Sequence, residues 1–253
     1  MKPSTPSYIC ATCARALRTQ SSKPPAFRTF TTTSSTPAPR NEPSETPPRW
    51  QQTPPAMRMP IRLRPEPNQP VWTVNDSLEN LNSAYDTFIG SAVPRKRGSE
   101  LLDEETKWLA ITHKSFDHGR RGFNDRLSFL GKRILDLQCS LGLLSMPQPE
   151  GMREVNGKDV FKHRALEGLE NITPFAKQQV LDPSRLASLA NQYGIDRVVR
   201  WKPKKSDNLE GSGVETVLAH TIYSVIGALA MQRGGEVAAK VARERVLQPL
   251  GLR

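Results

Sequence analysis

Three observations predict an all-α domain behind an extended, basic N-terminal arm. Leu127, Leu130, Ile134, Leu137, Leu141 and Leu144 recur at spacings of three and four, one helix face sustained along the whole segment. Other apolar clusters in the C-terminal part are bounded by helix-end residues, and none of that part reads as a convincing strand. Fifteen of the 22 prolines fall within the first 70 of 253 residues. The chain therefore divides into a 1–70 arm and a 71–253 helical domain.

Charge divides the same way. Lys and Arg total 36 against 25 Asp and Glu, a net charge of +11. The first 70 residues hold ten basic and three acidic side chains; the remainder is nearly balanced. Such a surplus favours polyanionic partners. Three cysteines exclude a disulfide-built fold. No apolar run reaches the length of a membrane span, so no membrane insertion is expected.

Residues 1–41 contain no Asp or Glu and six Lys or Arg, and 14 of the first 40 residues are Ser or Thr. That composition predicts a mitochondrial transit peptide over 1–36, with cleavage near 28–37. Residues 37–70 form a Pro-rich basic arm with too little apolar surface to offset its ordering entropy, so it is expected to be extended and mobile on its own. Within it Arg58, Arg62 and Arg64 alternate with apolar residues and are candidate phosphate contacts.

The helices follow in order. Asn75, Asp76 and Ser77 offer N-caps for a helix to about Ile89. Asp103, Glu104 and Glu105 place acids in the first turn of a helix to about His113. The Leu127–Leu144 helix starts at Asn124 and stops before Pro147. Asp182-Pro183 supplies N-cap and first-turn proline for a helix carrying Leu186, Leu189 and Ala190, which Tyr193-Gly194 ends. Val214, Val217, Leu218, Ile222, Val225 and Leu229 mark a long helix ending at Gly234-Gly235, and a last helix runs from Glu236 to about Leu247.

Four segments in register resemble the ribonuclease III catalytic domain. Leu109–Phe116, with Thr112-His113-Lys114-Ser115, resembles the family's Thr-His segment. Asn124–Leu135 resembles its signature. Leu181–Gly194 and Ala219–Leu229, followed by Gly234-Gly235, resemble its two later helices. The resemblance covers about 100–250 and implies the family's helical endonuclease-domain fold. The family binds Mg²⁺ through four carboxylates, and hard Mg²⁺ needs oxygen ligands clustered together. The matching positions here are Ser128, Lys132, His220 and Tyr223. The i, i+4 and i, i+3 spacings keep each pair on one helix face, but no carboxylate is left and one position is a cation. The resemblance thus implies a degenerate site with no catalytic residues, no metal and no cofactor. Asp125 matches a family acid preceding the four and is expected to cap or orient.

Other motifs carry less. Cys10-x-x-Cys13 has metal-like spacing without a second pair, and Cys139 reads as packing. No Gly-rich phosphate loop or Ser/His/Asp arrangement is present. Three basic loops, Arg95-Lys96-Arg97, Arg120-Arg121 and Lys202/Lys204/Lys205, are candidate RNA contacts. The chain ends soon after Gly234-Gly235, so the appended double-stranded-RNA-binding domain of family enzymes is not expected. A transit-peptide-like arm on a degenerate ribonuclease III domain resembles the ribonuclease III-like proteins of the fungal mitochondrial large ribosomal subunit. That resemblance implies a structural, non-enzymatic role in the matrix, bound to large-subunit rRNA and neighbouring ribosomal proteins. Family members pair through their signature helices, which implies a two-fold-like partner, with Leu127, Phe129, Leu130 and Ile134 as core or interface. The alternatives are an assembly or RNA-stability factor, or a divergent nuclease using Asp125, Asp136 or Glu215. A charge at Leu130 (Leu130→Asp) is expected to destroy folding by burial in the apolar stripe.

Overall fold

In the computed structural model the described residues are 47–58, 72–147, 154–155, 158–159 and 163–252. The transit-peptide segment, Cys10 and Cys13, and Arg62 and Arg64 lie outside them.

Helix α1 (Leu78–Ile89) begins where Ser77 accepts the Asn80 N–H at 3.4 Å, and it buries Leu81, Ala84, Tyr85, Phe88 and Ile89. Helix α2 (Glu104–Ile111) carries Glu104 and Glu105 in its first turn and buries Trp108, Ala110 and Ile111. Helix α3 (Asp125–Leu144) is the signature helix. A two-residue antiparallel ribbon follows, β1 (Glu154–Val155) on β2 (Lys158–Asp159). Helix α4 (Pro174–Val180) was not legible in the sequence; Thr173 caps it by accepting the Ala176 N–H. Helix α5 (Pro183–Gln192) starts at Asp182-Pro183 as expected, and Gly194 ends it with φ 71°. Helix α6 (Val214–Arg233) stops at Gly234, and α7 (Gly235–Val241) runs on into a π-helical turn (Ala242–Leu247).

Helix α6 is the centre. It packs most extensively on α3, then on α5, α7 and α2. It is long and apolar enough to cross a membrane by length and composition, contrary to the expectation that no such segment exists. However, 67% of its apolar window is buried, because it is wrapped by the other helices. Two glycines set the α3–α6 approach: a Cβ at Gly131 would run into the Tyr223 carbonyl oxygen, and one at Gly227 into that of Leu127.

That approach corrects the expected face of α3. The face turned to the core is Ser128, Gly131, Leu135, Gln138, Cys139 and Leu143. Of the predicted stripe, Leu127, Leu130 and Ile134 are half-buried, whereas Leu137, Leu141 and Leu144 are 56%, 47% and 38% exposed. Gly131 faces inward where the helices cross, because a side chain there would keep the backbones apart; Leu135 and Leu143 fill the core further along, and Leu137, Leu141 and Leu144 are left outside.

The arm differs from expectation as well. Pro47–Arg58 belongs to the same compact unit as the rest of the domain. Trp50 stacks on Trp108 with ring centroids 4.3 Å apart, and Arg49 pairs with Glu105 at 3.5 Å. Arg200 lies beneath, its guanidinium 5.2 Å from the Trp50 ring, 5.3 Å from Trp108 and 4.3 Å from Phe116. Two stacked indoles bury enough apolar area, with a cation against their faces, to hold a Pro-rich segment that its own composition would leave extended.

Candidate functional site

The start of α3 is pinned from three sides. Asn124 is fully buried; its amide donates to the Ala110 carbonyl at 3.0 Å, and its backbone N–H donates to Thr112. Ser224 of α6 also donates to Ala110. The segment after α2 is extended: His113 N–H donates to the Arg200 carbonyl at 2.8 Å and Arg200 N–H to Ile111 at 2.9 Å. Thr112–Ser115, the start of α3 and the middle of α6 are thereby held together.

These elements gather the four positions that resemble metal ligands. Ser128 is buried, and its hydroxyl donates to the Asp125 carbonyl. Tyr223 is buried, and burial, with Asp136 and Asp182 adding to it, pushes its hydroxyl up to about 12. His220 is half-buried with its ring 6.5 Å from Tyr223 and 6.4 Å from His113. Lys132 is exposed on the rim, and its ammonium meets no ion pair or hydrogen bond among the described residues.

The structure places His113 and Lys114, from the segment that resembles the family's Thr-His motif, beside this niche. The Lys114 ammonium is 3.8 Å from Asp125 Oδ2. Asp125 Oδ1 and His220 Nδ1 are buried without a hydrogen-bond partner. Both imidazoles are held below their ordinary pKa, first by burial; at His113 the His220 ring and then Lys114 add to this, and at His220 Asp125 opposes it while Lys114 and Lys132 add to it. Their tautomers differ in how well they are fixed. The Ser115 N–H donates to His113 Nδ1 at 3.2 Å, and the Ser115 hydroxyl, which accepts Lys202 N–H at 3.0 Å, donates to the same nitrogen. His113 Nδ1 is thus an acceptor, and the proton of the neutral ring sits on Nε2.

Such a donor set does not suit Mg²⁺. A neutral serine, a phenol, an imidazole and an ammonium offer no charged oxygen, and Lys132 repels a divalent ion. Among the described residues no three His, Cys, Asp or Glu side chains gather in a metal-holding arrangement.

The predicted basic residues fare unequally. Arg95, Lys96 and Arg97 are exposed on the α1–α2 connection, with Arg95 at φ 66°. Lys204 and Lys205 are exposed and Lys202 half-buried. Arg120 and Arg121 are not free: both grip Asp117, at 2.5 and 3.1 Å. Arg58 is exposed on the docked arm, lining a cleft of about 440 Å³ with Arg49, Glu105 and Trp108. The expected interface residues divide too. Phe129 is 64% exposed with Arg133 over its ring, while Leu127 and Ile134 lean on the core.

Residues 103–250 match the family model described as ribonuclease-III-like. This chain belongs to the ribonuclease III-like family. It is 38% identical over 208 residues to the large ribosomal subunit protein mL57 of Neurospora crassa, covering 81% of this chain and 76% of that one. It is 30% identical over 159 residues to ribonuclease 3 of Pseudomonas syringae, covering 62% of this chain and 57% of the enzyme. The ribonuclease III-like domain therefore spans little more than half of such enzymes. Among solved structures it is similar to the nuclease domain of ribonuclease III from Campylobacter jejuni, at 19% identity and a TM-score of 0.43, covering 70% of this chain and 98% of that one. The helical ribonuclease III-like fold expected from the signature is the fold observed.

Proposed function

We propose that this chain is a structural constituent of the mitochondrial large ribosomal subunit, bound to rRNA and neighbouring proteins in the matrix and cutting no RNA. One observation carries the reading: the similarity to mL57 extends over four-fifths of the chain, beyond the family domain itself. In this reading residues 1–36 serve as the import signal. The donor set of Ser128, Lys132, His220 and Tyr223 supports a role without metal-dependent hydrolysis. Arg95, Lys96, Arg97, Lys204 and Lys205 are exposed cations, with Lys202 half-buried beside them, that neutralise rRNA phosphates.

The uncovered face of α3 is the protein-binding side, and its partner is a second, non-identical ribonuclease III-like subunit. The exposed residues of α3 are Arg126, Phe129, Lys132, Arg133, Leu137, Leu141 and Leu144, cationic in the first half and apolar in the second, with no exposed acid. A two-fold pair of identical copies would place these cations against themselves or against leucines. A partner with carboxylates opposite the first half and apolar side chains opposite the second satisfies both.

Sedimentation of salt-washed mitochondrial lysate with quantitative mass spectrometry of each fraction tests the role. The protein should track the large subunit at about one copy per particle. Presence only on immature particles would replace this reading with an assembly factor. Mg²⁺-dependent cleavage of duplex RNA by the pure protein, lost on Asp125→Ala, would replace it with a nuclease.

A further inference from the structure

We propose that the cleft between the docked arm and α2 is a binding site for one unpaired nucleotide of RNA, its base against the Trp50 indole and its phosphate on the guanidinium groups of Arg49 and Arg58. The inference rests on the rRNA-binding reading above. It places a contact on residues that precede the family domain, which matches only from residue 103.

The cleft has a volume of about 440 Å³, within the range that takes a ligand of small-molecule size. Its walls combine rings with charge: Trp50, Arg49 and Arg58 from the arm, and Trp108 and Glu105 from α2. Trp50 is half-buried and gives one face to Trp108, with ring centroids 4.3 Å apart. An indole already fixed on one side loses little freedom when a base stacks against it, and every base has a ring face to offer. Both indole N–H donors are buried with no acceptor among the described residues, so the chain leaves part of this wall's polar capacity unmet.

The arginines supply the phosphate contacts. Both are exposed. Arg49 spends its Nε on Glu105 at 3.5 Å, and Arg58 spends its Nε on the Thr53 carbonyl at 3.4 Å. Their terminal nitrogens have no partner among the described residues, and that planar fork of N–H groups is the geometry that grips a phosphate. Glu105 is the one acid among the described lining residues, so two guanidiniums against one carboxylate leave the cleft cationic. Arg200, against the Trp50–Trp108 pair, has Asp76 at 3.5 Å and adds little to that balance. Two exposed arginines alone would be a solvated surface; here they share an enclosed space with a fixed ring. An acidic protein segment would satisfy the arginines and leave the ring unused, whereas a nucleotide uses both. A paired base keeps its faces on its neighbours in the duplex, so the nucleotide that enters is an unpaired one.

The test is binding of the purified full chain to a single-stranded RNA decamer of adenylates, read by tryptophan fluorescence and by anisotropy of an end label across a series of salt concentrations. The decamer should quench the tryptophan emission. The same backbone built from abasic residues should bind about tenfold more weakly and leave the emission unchanged. Arg58→Glu should weaken binding of the decamer about tenfold and lower the slope of log affinity against log salt by about 0.7, the change expected when one phosphate of a single strand is no longer neutralised. Arg49→Gln should act in the same direction. Both arginines are exposed, so melting temperatures should stay unchanged and exclude unfolding as the cause. Lys204→Glu/Lys205→Glu is the comparator. If it weakens binding while Arg58→Glu and Arg49→Gln do not, or if the abasic strand binds as tightly as the decamer, the cleft proposal is overturned and the rRNA-binding reading stands. If the wild-type chain binds neither this strand nor duplex RNA, that reading falls and the cleft proposal with it. If adenosine monophosphate quenches and binds as tightly as the decamer, the cleft takes a free nucleotide, and the assignment to RNA is overturned. Displacement of the decamer from the cleft by an oligoglutamate peptide of equal affinity would make it a protein-binding cleft and overturn the assignment as well.

Discussion

The two 20-residue helices α3 and α6 face each other, yet they use their apolar residues in opposite ways. Helix α6 buries nearly everything from Val217 to Leu229, including Thr221 and Ser224. Helix α3 buries six residues, among them Ser128, Gly131 and Gln138, and exposes Phe129, Leu137, Leu141 and Leu144. A helix surrounded by others is apolar on all sides, whereas a helix at the edge buries one stripe. On α3 that stripe runs through Ser128, Gly131, Leu135, Gln138, Cys139 and Leu143, with Gly131 set where the backbones come too close for a larger side chain. The leucines at 137, 141 and 144 form a second, exposed face of α3.

Variants can break this contrast, beginning with the packing between the helices. Gly131→Val would drive its side chain into the Tyr223 carbonyl oxygen and Gly227 of α6. It is expected to cost about 3 kcal/mol or more, or to leave no soluble protein, as read by chemical denaturation. Ile226→Ala, at a fully buried position of α6, should cost about 2–5 kcal/mol in the same experiment. The α3 counterpart should behave differently. Leu137→Asp or Leu141→Asp should change the free chain's stability by only about 0.5 kcal/mol while reducing its incorporation into the large subunit in mitochondria. Leu130→Asp belongs between these extremes, since Leu130 is half-buried and not deep in the core. A protein unfolded by Leu137→Asp would show that the outer stripe supports the fold itself.

Smaller effects sharpen the picture of the flanking regions. Trp50→Ala removes the indole stacked on Trp108 and should cost about 1 kcal/mol beyond the lost apolar burial, with faster proteolysis near residue 50. The mildest effect concerns pH. His113 and His220 are held below their ordinary pKa in the folded domain, so on acidification the unfolded chain takes up protons first. Stability is full above about pH 6.5 and declines as pH falls through and below that value toward the folded-state pKa. His220→Gln should flatten that decline in melting temperatures measured between about pH 7 and pH 5.

Much of the fold was legible because its helix ends carry local chemistry. Ser77, Asp182-Pro183, Gly194 and Gly234 each satisfy or release backbone groups within one turn, so their effect is visible in the sequence. Helix α4, at seven residues, is too short to show a period, and only Thr173-Pro174 hints at it. The docking of Trp50 was illegible because its partners, Trp108 and Arg200, are distant in sequence, and Pro-rich composition argued the other way. Within the candidate site, Ser128, Lys132, His220 and Tyr223 stood out through the family pattern. Lys114 and the tautomer of His113 required the tertiary contacts through Ser115 and Asp125.

The sequence by itself determined the helical class, the order and ends of the long helices, the basic surplus and the residues at the four family positions. These depend on period, capping and composition, which act over a few residues. Tertiary structure alone decided which stripe of α3 is core, which arginines are spent on Asp117, and which lysines stand near His220. Burial and charge pairing are properties of neighbours in space, and a leucine period of three and four is the same whether the helix turns that face inward or toward a partner.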